Sequence, residues 1–349
     1  MANHGYFHRL HELTPTRFWI NNPSAAECEL SIEAGAISCT TNPSYVSKKL
    51  EREDRESALE AIRRAVSSAS SLDDAADMVQ REVVAPVVER FRKLWDKAPG
   101  EQGFVSIQGN PSHDEDPTYM AEECLRAREL GPNVIAKVPV TRAGLDAIET
   151  LVAEDVPVIA TEIMSIDQAI ATCEAYERAS GRSGKRPPLY VTHITGIFDE
   201  HLHNVVERDG IEISPDLLFA AGAIVARKQY KIMKERGYPG ILLGGGARDL
   251  HHFTELVGGD VHVTINWKGT ADRLIEEDPP VVHRLWTETP ESVIEELRAK
   301  IPDFALAYDE GALGLAAFDE YGPVQLFRSS FVKGWQAMEE AIKSEGGSW

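Results

Sequence analysis

Short apolar runs rich in β-branched residues alternate along the chain with longer segments in which apolar positions recur every three or four residues. This alternation is typical of a parallel β-sheet covered by helices, because strands that are buried on both faces carry continuous apolar sequence. The runs predicted to be strands are residues 17–21, 36–40, 104–108, 133–138, 156–163, 189–194, 240–244 and 260–265. Helical spacing between them predicts helices at residues 117–130, 142–153, 166–180, 215–236 and 250–258.

The strand count predicts an α/β fold, a single (β/α)8 TIM barrel, since eight parallel strands can close a sheet on itself. Residues 45–99 add two long charged helical segments between the second and third strands, and residues 288–345 add further helices after the eighth. We interpret both as additions to one domain spanning residues 1–349, with a barrel core at about 17–287 and a C-terminal helical extension at about 288–349. A doubly wound open sheet is the alternative, because counting strands does not prove closure.

The charge balance limits the class of partner. The chain has 36 Lys and Arg against 56 Asp and Glu, a formal net charge of −20. Such a surface repels phosphate backbones and anionic lipids, so we expect neither a nucleic acid nor a membrane partner. The sequence shows no apolar signal core and no membrane-length apolar run, which predicts a cytoplasmic location. An anionic small substrate would need a local positive pocket.

Neither the cysteines nor the histidines form a convincing metal motif. Four cysteines are far apart in the sequence, without a CxxC pair, and are expected to be buried free thiols: Cys28, Cys39, Cys124 and Cys173. His201 and His203 lie two residues apart in a predicted helix, where their rings diverge. His251 and His252 are adjacent. We therefore expect no metal site.

Lys137 lies inside the apolar fourth strand, in the segment NVIAKVP, with no acid beside it in sequence. Lysine is rarely fully buried without a reason. Loss of hydration lowers the pKa of an amine, which produces the neutral nucleophile that attack on a carbonyl requires. The alternative is a structural lysine whose stem packs while its charged end reaches solvent.

Compact polar side chains follow several predicted strands, at the carboxyl end where barrel enzymes place their sites. They are Asn21, Thr40, Thr41 and Asn42, Gln108, Thr161, Thr192 and His193. The seventh strand leads into a glycine run that is followed by an arginine: Gly244, Gly245, Gly246 and Arg248. The glycine run would expose backbone N–H groups to an anion at a helix start, although a tight turn alone is the alternative.

The most specific of these segments resemble the transaldolase family, which includes fructose-6-phosphate aldolase. The second-strand segment AISCTTNPS, residues 36–44, is similar to the family signature GxTTNPS. The fourth-strand segment AKVP with Thr141 and Gly144 resembles the family's lysine motif. Thr161, followed by Ser165, Gln168 and Ala169, also looks like the family. The resemblance extends over most of residues 17–265.

The resemblance implies class I aldol chemistry that needs no metal and no cofactor. Lys137 would form a Schiff base with a ketose, in the first place a sugar phosphate, and pass a three-carbon ketol unit to an aldehyde acceptor, as in the pentose phosphate pathway. The catalytic candidates are Lys137, Gln108, Thr161, Asn21 and His193. The candidates for substrate binding are Asn42, Thr41, Thr192, Gly245, Gly246 and Arg248. A homo-oligomer is compatible with the sequence.

Three positions depart from the family pattern. Transaldolases place a carboxylate at the end of the first strand, where this chain has Asn21, and an amide is not a general base. Their third-strand glutamate is matched by Gln108, as in fructose-6-phosphate aldolase-like members, so Gln108 and Thr161 together could hold a water molecule. Their phosphate-binding arginine after the sixth strand is replaced by Ile197.

One nearby residue, His193, could compensate for the lost acids, whereas Glu162 is expected to point away from the site. His193 has a side chain with a near-neutral pKa and is a candidate acid and base, although a structural histidine is the simpler interpretation. Glu162 follows Thr161 directly. Alternation along a strand predicts that Glu162 points away from the site and forms an ion pair in the helix layer.

Two other functions stay open. The loss of the first-strand acid and the substitution by Ile197 are compatible with a class I aldolase that cleaves an unphosphorylated or unusual ketose. A non-catalytic sugar-binding barrel is the third hypothesis, because a fold does not by itself imply activity.

Overall fold

The computed structural model describes residues 5–52 and 54–347, and its sheet is a closed barrel in which strands adjacent in sequence pair in parallel. The eighth strand returns to pair with the first. The strands are β1 Arg17–Asn21, β2 Ser38–Thr40, β3 Val105–Ile107, β4 Val134–Pro139, β5 Val158–Ile163, β6 Leu189–His193, β7 Ile241–Gly244 and β8 Val261–Ile265. Closure confirms the (β/α)8 TIM barrel and excludes the open sheet.

Helices surround the barrel. They are α1 Tyr6–Leu13, α2 Ala25–Ala34, α3 Tyr45–Leu50, α4 Glu56–Ser68, α5 Leu72–Trp95, α6 Pro117–Ala127, α7 Arg142–Ala153, α8 Ile166–Ser183, α9 Thr195–Asp209, α10 Pro215–Glu235, α11 His251–Thr254, α12 Asp272–Glu277, α13 Glu291–Lys300, α14 Pro302–Tyr308 and α15 Gly322–Ser344. Short helical turns occur at Pro111–His113, Arg128–Leu130, Trp267–Ala271 and Leu315–Ala317. The region between β2 and β3 holds three helices where two were predicted, and α11 is shorter than predicted.

Side-chain caps fix the helices that follow β4 and β5. The hydroxyl of Thr141 accepts a hydrogen bond from the backbone N–H of Gly144 at 2.8 Å, and the hydroxyl of Ser165 accepts one from that of Gln168 at 3.2 Å. Each cap satisfies a backbone donor that the first helical turn would otherwise leave unpaired. The caps come directly after the strands, so α7 and α8 begin at fixed positions relative to the strand ends.

Large side chains fill the interior of the barrel below its carboxyl end. This inner cluster contains Trp19, Phe104, Ile135, Ile159, Tyr190 and Leu243, all essentially inaccessible to solvent. The indole N–H of Trp19 donates to Nδ1 of His262 at 2.9 Å, which satisfies the polar atom that this large side chain buries. Side chains therefore fill the barrel at this level, and a cavity lies at the carboxyl end.

The last helix, α15, covers that carboxyl end. Gly334 packs so closely on α3 that a Cβ there would lie 2.3 Å from the hydroxyl oxygen of Ser44. The same hydroxyl donates to the carbonyl of Ser330 at 3.2 Å. Farther along, Trp335 and Met338 are buried in the core beside α3, α4 and α5. These contacts hold the C-terminal helix against the mouth of the barrel.

The cysteine thiols and the lengths of the helices are two further features of the described residues. The four cysteines are buried free thiols, as predicted. Within the described ranges, the helices are too short or too polar to cross a membrane.

Candidate active site

A cavity of about 240 Å³ opens at the carboxyl ends of the strands, beneath α15. Most of the residues expected at the site from the sequence line it: Asn21, Asn42, Lys137, Thr161, Thr192, Gly245, Gly246 and Arg248. Other walls come from Thr40, Ser44, Thr264 and Asn266, from Lys48 of α3, and from Phe327, Ser330 and Phe331 of α15. The cavity thus combines one buried lysine with hydroxyls, amides, cations and an apolar cover.

Lys137 lines this cavity, with only 7% of its surface exposed. Its Nζ donates to the backbone carbonyl of Thr41 at 3.3 Å and lies 5.8 Å from the ring centre of Phe331. Burial lowers the pKa of the Lys137 amine to about 8, against an opposing effect of the Glu162 carboxyl. The charged end remains inside the barrel, so the alternative of a lysine that reaches solvent does not apply.

Two threonine hydroxyls line the cavity together with Lys137, one from β5, which pairs with β4, and one from β6, the strand after it. The Oγ1 atoms of Thr161 on β5 and Thr192 on β6 are buried, line the cavity, and have no hydrogen-bond partner among the described residues. Buried hydroxyls are normally paired, so two unpaired ones in one cavity need an explanation. Both are placed to bind the oxygen atoms of a ligand.

The opposite wall is a chain of uncharged polar groups. The hydroxyl of Thr40 donates to the side-chain carbonyl of Asn21 at 2.9 Å and lies 2.6 Å from the hydroxyl of Thr264. The amide of Asn21 donates to that of Asn266 at 2.9 Å. These amides and hydroxyls orient a ligand by hydrogen bonds, but none of them is an acid or base near neutral pH.

Cationic side chains occupy the outer end of the cavity. Arg248 follows the glycine turn after β7 and donates through Nε to Glu200 at 2.8 Å. Lys48 projects from α3, and its pKa is lowered by burial and by the nearby Arg52 and Arg248. Lys48 was not predicted from the sequence, since nothing in a charged helical segment shows which lysine faces a barrel mouth.

The glycine turn beside these cations is closely packed. At Gly196, in the first turn of α9, a Cβ would lie 2.2 Å from the carbonyl oxygen of Gly246. Gly246 has φ +66°, a left-handed conformation that favours glycine. Ile197, at the position of the family arginine, is buried against the same turn. The arginine position therefore contributes packing to the turn and no charge to the cavity.

The structure corrects the expectation for His193. Its ring points into the helix layer, where Nδ1 lies 3.1 Å from Oε1 of Gln229 on α10 and the ring contacts Phe198 of α9. Thr192 faces the cavity, so alternation along β6 turns His193 away from it. Burial lowers the pKa of His193 to about 4. A neutral ring outside the cavity is not an acid or base for a ligand inside it.

Two other predicted side chains also lie outside the cavity lining. Thr41 donates its hydroxyl hydrogen to the carbonyl of Ser106 at 2.6 Å, so only its backbone carbonyl meets Lys137. Gln108 is buried, accepts a hydrogen bond at its backbone carbonyl from Gln80, and extends its own amide to Glu162 at 2.9 Å. These contacts correct the direct ligand contacts that we expected for both side chains.

Glu162 is the largest departure from the sequence-based expectation. The register of β5 against β6 shifts between Ala160 and Ile163, and Glu162 has φ +63°. This bulge breaks the alternation on which the outward orientation depended, and the carboxyl is fully buried beside Gln108 instead of paired in the helix layer. Burial raises the pKa of Glu162 to about 7. No local sequence signal marks the bulge.

One group of residues has the composition of a metal site. Ligand atoms of Asp199, His251 and His252 lie within 4.8 Å of one another. However, Nδ1 of His252 accepts hydrogen bonds from the backbone N–H groups of Arg248 and Asp249 at 3.2 and 3.1 Å, so Nε2 carries the proton and donates to Asp199 at 3.0 Å. A ring in this state has no free lone pair for a metal. Hydrogen bonding therefore accounts for His252 and Asp199, whereas the ring nitrogens of His251 have no hydrogen-bond partner among the described residues.

Comparisons with known proteins agree with the geometry. A sequence model of the family described as Transaldolase/Fructose-6-phosphate aldolase matches residues 19–320. The transaldolase of Kocuria rhizophila is 27% identical over 209 residues, which cover 57% of this chain and 56% of that protein. The transaldolase of Mycobacterium tuberculosis strain H37Rv is 26% identical over 215 residues, which cover 59% and 57%. The chain thus spans little more than half the length of the curated relatives it matches.

Proposed function

The chain belongs to the transaldolase and fructose-6-phosphate aldolase family, and on that premise we propose that it transfers a three-carbon ketol unit from a ketose to an aldehyde through a Schiff base at Lys137. The observation that carries this proposal is the buried amine of Lys137, whose pKa is lowered to about 8 inside a cavity lined by hydroxyls. A desolvated amine of this kind is the activated nucleophile of class I aldol chemistry.

The reaction follows from the position of the amine. Neutral Lys137 adds to the C2 carbonyl of the ketose, water leaves, and the resulting iminium withdraws electrons from the C3–C4 bond. Cleavage passes the proton of the C4 hydroxyl to water, releases an aldehyde and leaves an enamine on Lys137. The enamine adds to the acceptor aldehyde, the new alkoxide takes up a proton, and hydrolysis of the iminium releases the product ketose and restores the amine. Thr161 and Thr192 present unpaired hydroxyls to the oxygen atoms of the bound sugar.

The cover provided by α15 favours transfer over hydrolysis. Phe327 and Phe331 place aromatic surface over the cavity that holds Lys137. An aromatic cover over a polar cavity limits the access of water to a covalent intermediate. The enamine then persists until an acceptor aldehyde enters. This supports a transferase over a class I aldolase that releases its three-carbon product directly.

Dependence on the acceptor tests the function directly. A ketose phosphate incubated with the enzyme should release its aldehyde fragment continuously only when an acceptor aldose is added, because the enamine otherwise stays on the enzyme. Chromatography of the products would measure this. Equal turnover without acceptor would favour the aldolase, and the absence of turnover with any ketose tested would favour a non-catalytic barrel.

The cations at the outer end of the cavity support a phosphorylated substrate. Lys48, Arg248 and the turn at Gly245 and Gly246 line the cavity. The N–H of Gly245 donates to the carbonyl of His193 at 2.9 Å, so the cationic side chains are the groups that can bind phosphate. In a chain with net charge −20, they give the site the local positive potential that an anion needs.

We expect Lys48→Ala and Arg248→Ala each to raise the KM for a phosphorylated ketose by roughly tenfold to a hundredfold, since a hydrogen bond to a charged group contributes about 1.5–3 kcal/mol. The kcat should change little, because the phosphate is remote from the reacting carbonyl. Steady-state kinetics with a ketose and its phosphate ester would measure this. Lys231→Ala, an exposed lysine on α10, is the matched control. An equal effect on both substrates would contradict the assignment of a phosphate site.

We expect kcat/KM to fall as the pH drops below about 8, approaching tenfold per pH unit, because only the neutral amine of Lys137 adds to a carbonyl. The sign follows from the lowered pKa: burial disfavours the ammonium form, so the neutral amine dominates above about pH 8. A pH profile of kcat/KM with an unphosphorylated ketose avoids ionisation of the substrate. A flat profile between about pH 6 and 9 would contradict a titrating nucleophile.

A further inference from the structure

We propose that Glu162 is the counter-charge of the Schiff base, a positioning residue whose buried carboxylate, aimed into the barrel by the β5 bulge, stabilises the cationic nitrogen on Lys137. The proposal rests on the Schiff-base function above and adds a residue for which the sequence predicted the opposite orientation. Three features of the structure carry it: the backbone of Glu162, the surroundings of its carboxyl group, and its relation to Lys137.

The backbone of Glu162 is held in a conformation that L-residues rarely adopt. Its φ of +63° occurs inside a strand, where the register of β5 against β6 shifts. Gln168 secures the bulge, since its side-chain amide donates to the carbonyls of Glu162 and Val140, both at 3.1 Å, and its carbonyl accepts from the N–H of Met164 at 2.9 Å. Strain of this kind collects at functional sites, where the surrounding structure enforces it.

The carboxyl group of Glu162 is fully buried without a direct ion pair among the described residues. One oxygen accepts from Nε2 of Gln108 at 2.9 Å, and the other has no hydrogen-bond partner in the described part of the chain. Burying an acid in this way is costly unless its charge is used. A packing role alone would be served better by an apolar side chain.

Other ionisable groups near Glu162 shift the pKa of its carboxyl. Arg328 of α15 lies 3.5 Å from the carboxyl of Asp114. Asp319 raises the pKa of both Asp114 and Glu162, whereas Arg328 lowers both and Lys137 also lowers that of Glu162. Burial, the largest effect, raises the pKa of both carboxyls, and the negative charge of Glu162 raises that of Asp114 further.

Glu162 acts on Lys137 across space. Nζ of Lys137 donates to the carbonyl of Thr41 and forms no direct ion pair with Glu162 in the described structure. A contact ion pair would hold the amine as an ammonium ion, which cannot attack a carbonyl. A carboxylate at longer range leaves the neutral amine accessible near pH 8, yet it still attracts the positive charge on nitrogen when water leaves and the iminium forms.

The isosteric variant Glu162→Gln tests the proposal because it removes the charge and keeps an acceptor for Gln108. We expect kcat to fall at least tenfold, with a small change in the KM of the ketose. The acid limb of the kcat/KM profile should move to lower pH, because the pKa of Lys137 falls when a negative neighbour is removed. Glu162→Asp, which keeps the charge, should recover part of kcat and return the acid limb towards its wild-type position.

Glu123→Gln is the matched control, since Glu123 is also a buried carboxyl, but it accepts from the backbone N–H of Asn110 at 3.1 Å and not from Lys137, whose Nζ donates to the carbonyl of Thr41. It should leave the acid limb in place, even if it lowers stability. An unshifted acid limb in folded Glu162→Gln, with borohydride still trapping the ketose on Lys137, would overturn the counter-charge and leave the Schiff base intact. Failure of the wild-type enzyme to form any trapped adduct would instead overturn the Schiff base itself.

Discussion

Replacing Lys137 by alanine is expected to reduce kcat/KM by roughly a thousandfold or more, because the proposed covalent intermediate forms on this amine. The side chain lines the cavity, and its Nζ donates a hydrogen bond to the Thr41 carbonyl. Borohydride added to the wild-type enzyme with a ketose should reduce the iminium to a stable amine. Mass spectrometry should then find the mass of the sugar, or of its three-carbon fragment, on the peptide that contains Lys137.

Two variants separate the nucleophile from the charge. Lys137→Arg keeps a cation in the cavity but does not form an iminium under these conditions, so it should be as inactive as the alanine variant and should not be trapped. Lys48→Ala removes the other cavity lysine and should still be trapped at Lys137 when the ketose is saturating. Full activity of Lys137→Ala, or an adduct on a different lysine, would contradict the proposed mechanism.

Gly144→Ala is expected to have the largest effect on stability, lowering the free energy of unfolding by about 3 kcal/mol. A Cβ at Gly144 would lie 1.8 Å from the backbone carbonyl oxygen of Pro139, the last residue of β4, and 3.1 Å from the capping hydroxyl of Thr141. The first turn of α7 would have to move away from the strand that carries Lys137. Denaturant unfolding should show the loss, and kcat should fall as well because the strand end shifts.

Gly181 is the matched control for this substitution. It lies within helix α8, and a Cβ there would meet no atom within 4 Å. Gly181→Ala should therefore raise stability by roughly 0.5–1 kcal/mol, because alanine loses less backbone freedom than glycine on forming a helix. Unfolding curves of Gly144→Ala that match those of Gly181→Ala would contradict the close packing of α7 on β4.

The agreement between prediction and structure is greatest where periodicity is the signal. β1 and α7 occur at the predicted bounds, and the remaining strands begin or end within two residues of theirs. Predictions were weaker in the charged segments, where the short helix α3 was missed and α11 was overestimated. Short helices have few turns, so a periodic pattern barely develops in them.

The prediction of the site was limited because the sequence does not show which way each side chain points. Asn21, Asn42, Thr161 and Thr192 line the cavity, as expected for residues at the carboxyl ends of barrel strands. His193 does not, because it is one residue out of phase with Thr192 and faces α10. Adjacent residues at a strand end have opposite orientations, so a polar side chain in the right segment can still miss the site.

The sequence by itself determined the barrel and the position of its lysine. The alternation of apolar strand segments with helical segments, and a lysine within an apolar strand, are properties that short segments of the chain show on their own. Tertiary structure alone decided which groups serve that lysine. Phe331 lies 194 positions after Lys137 in the sequence, yet its ring centre is 5.8 Å from Nζ of Lys137. Lys48 and Arg248 line the same cavity only because the barrel is closed. Glu162 turns inward through a bulge that depends on its pairing with β6 and on Gln168, contacts that no single segment encodes.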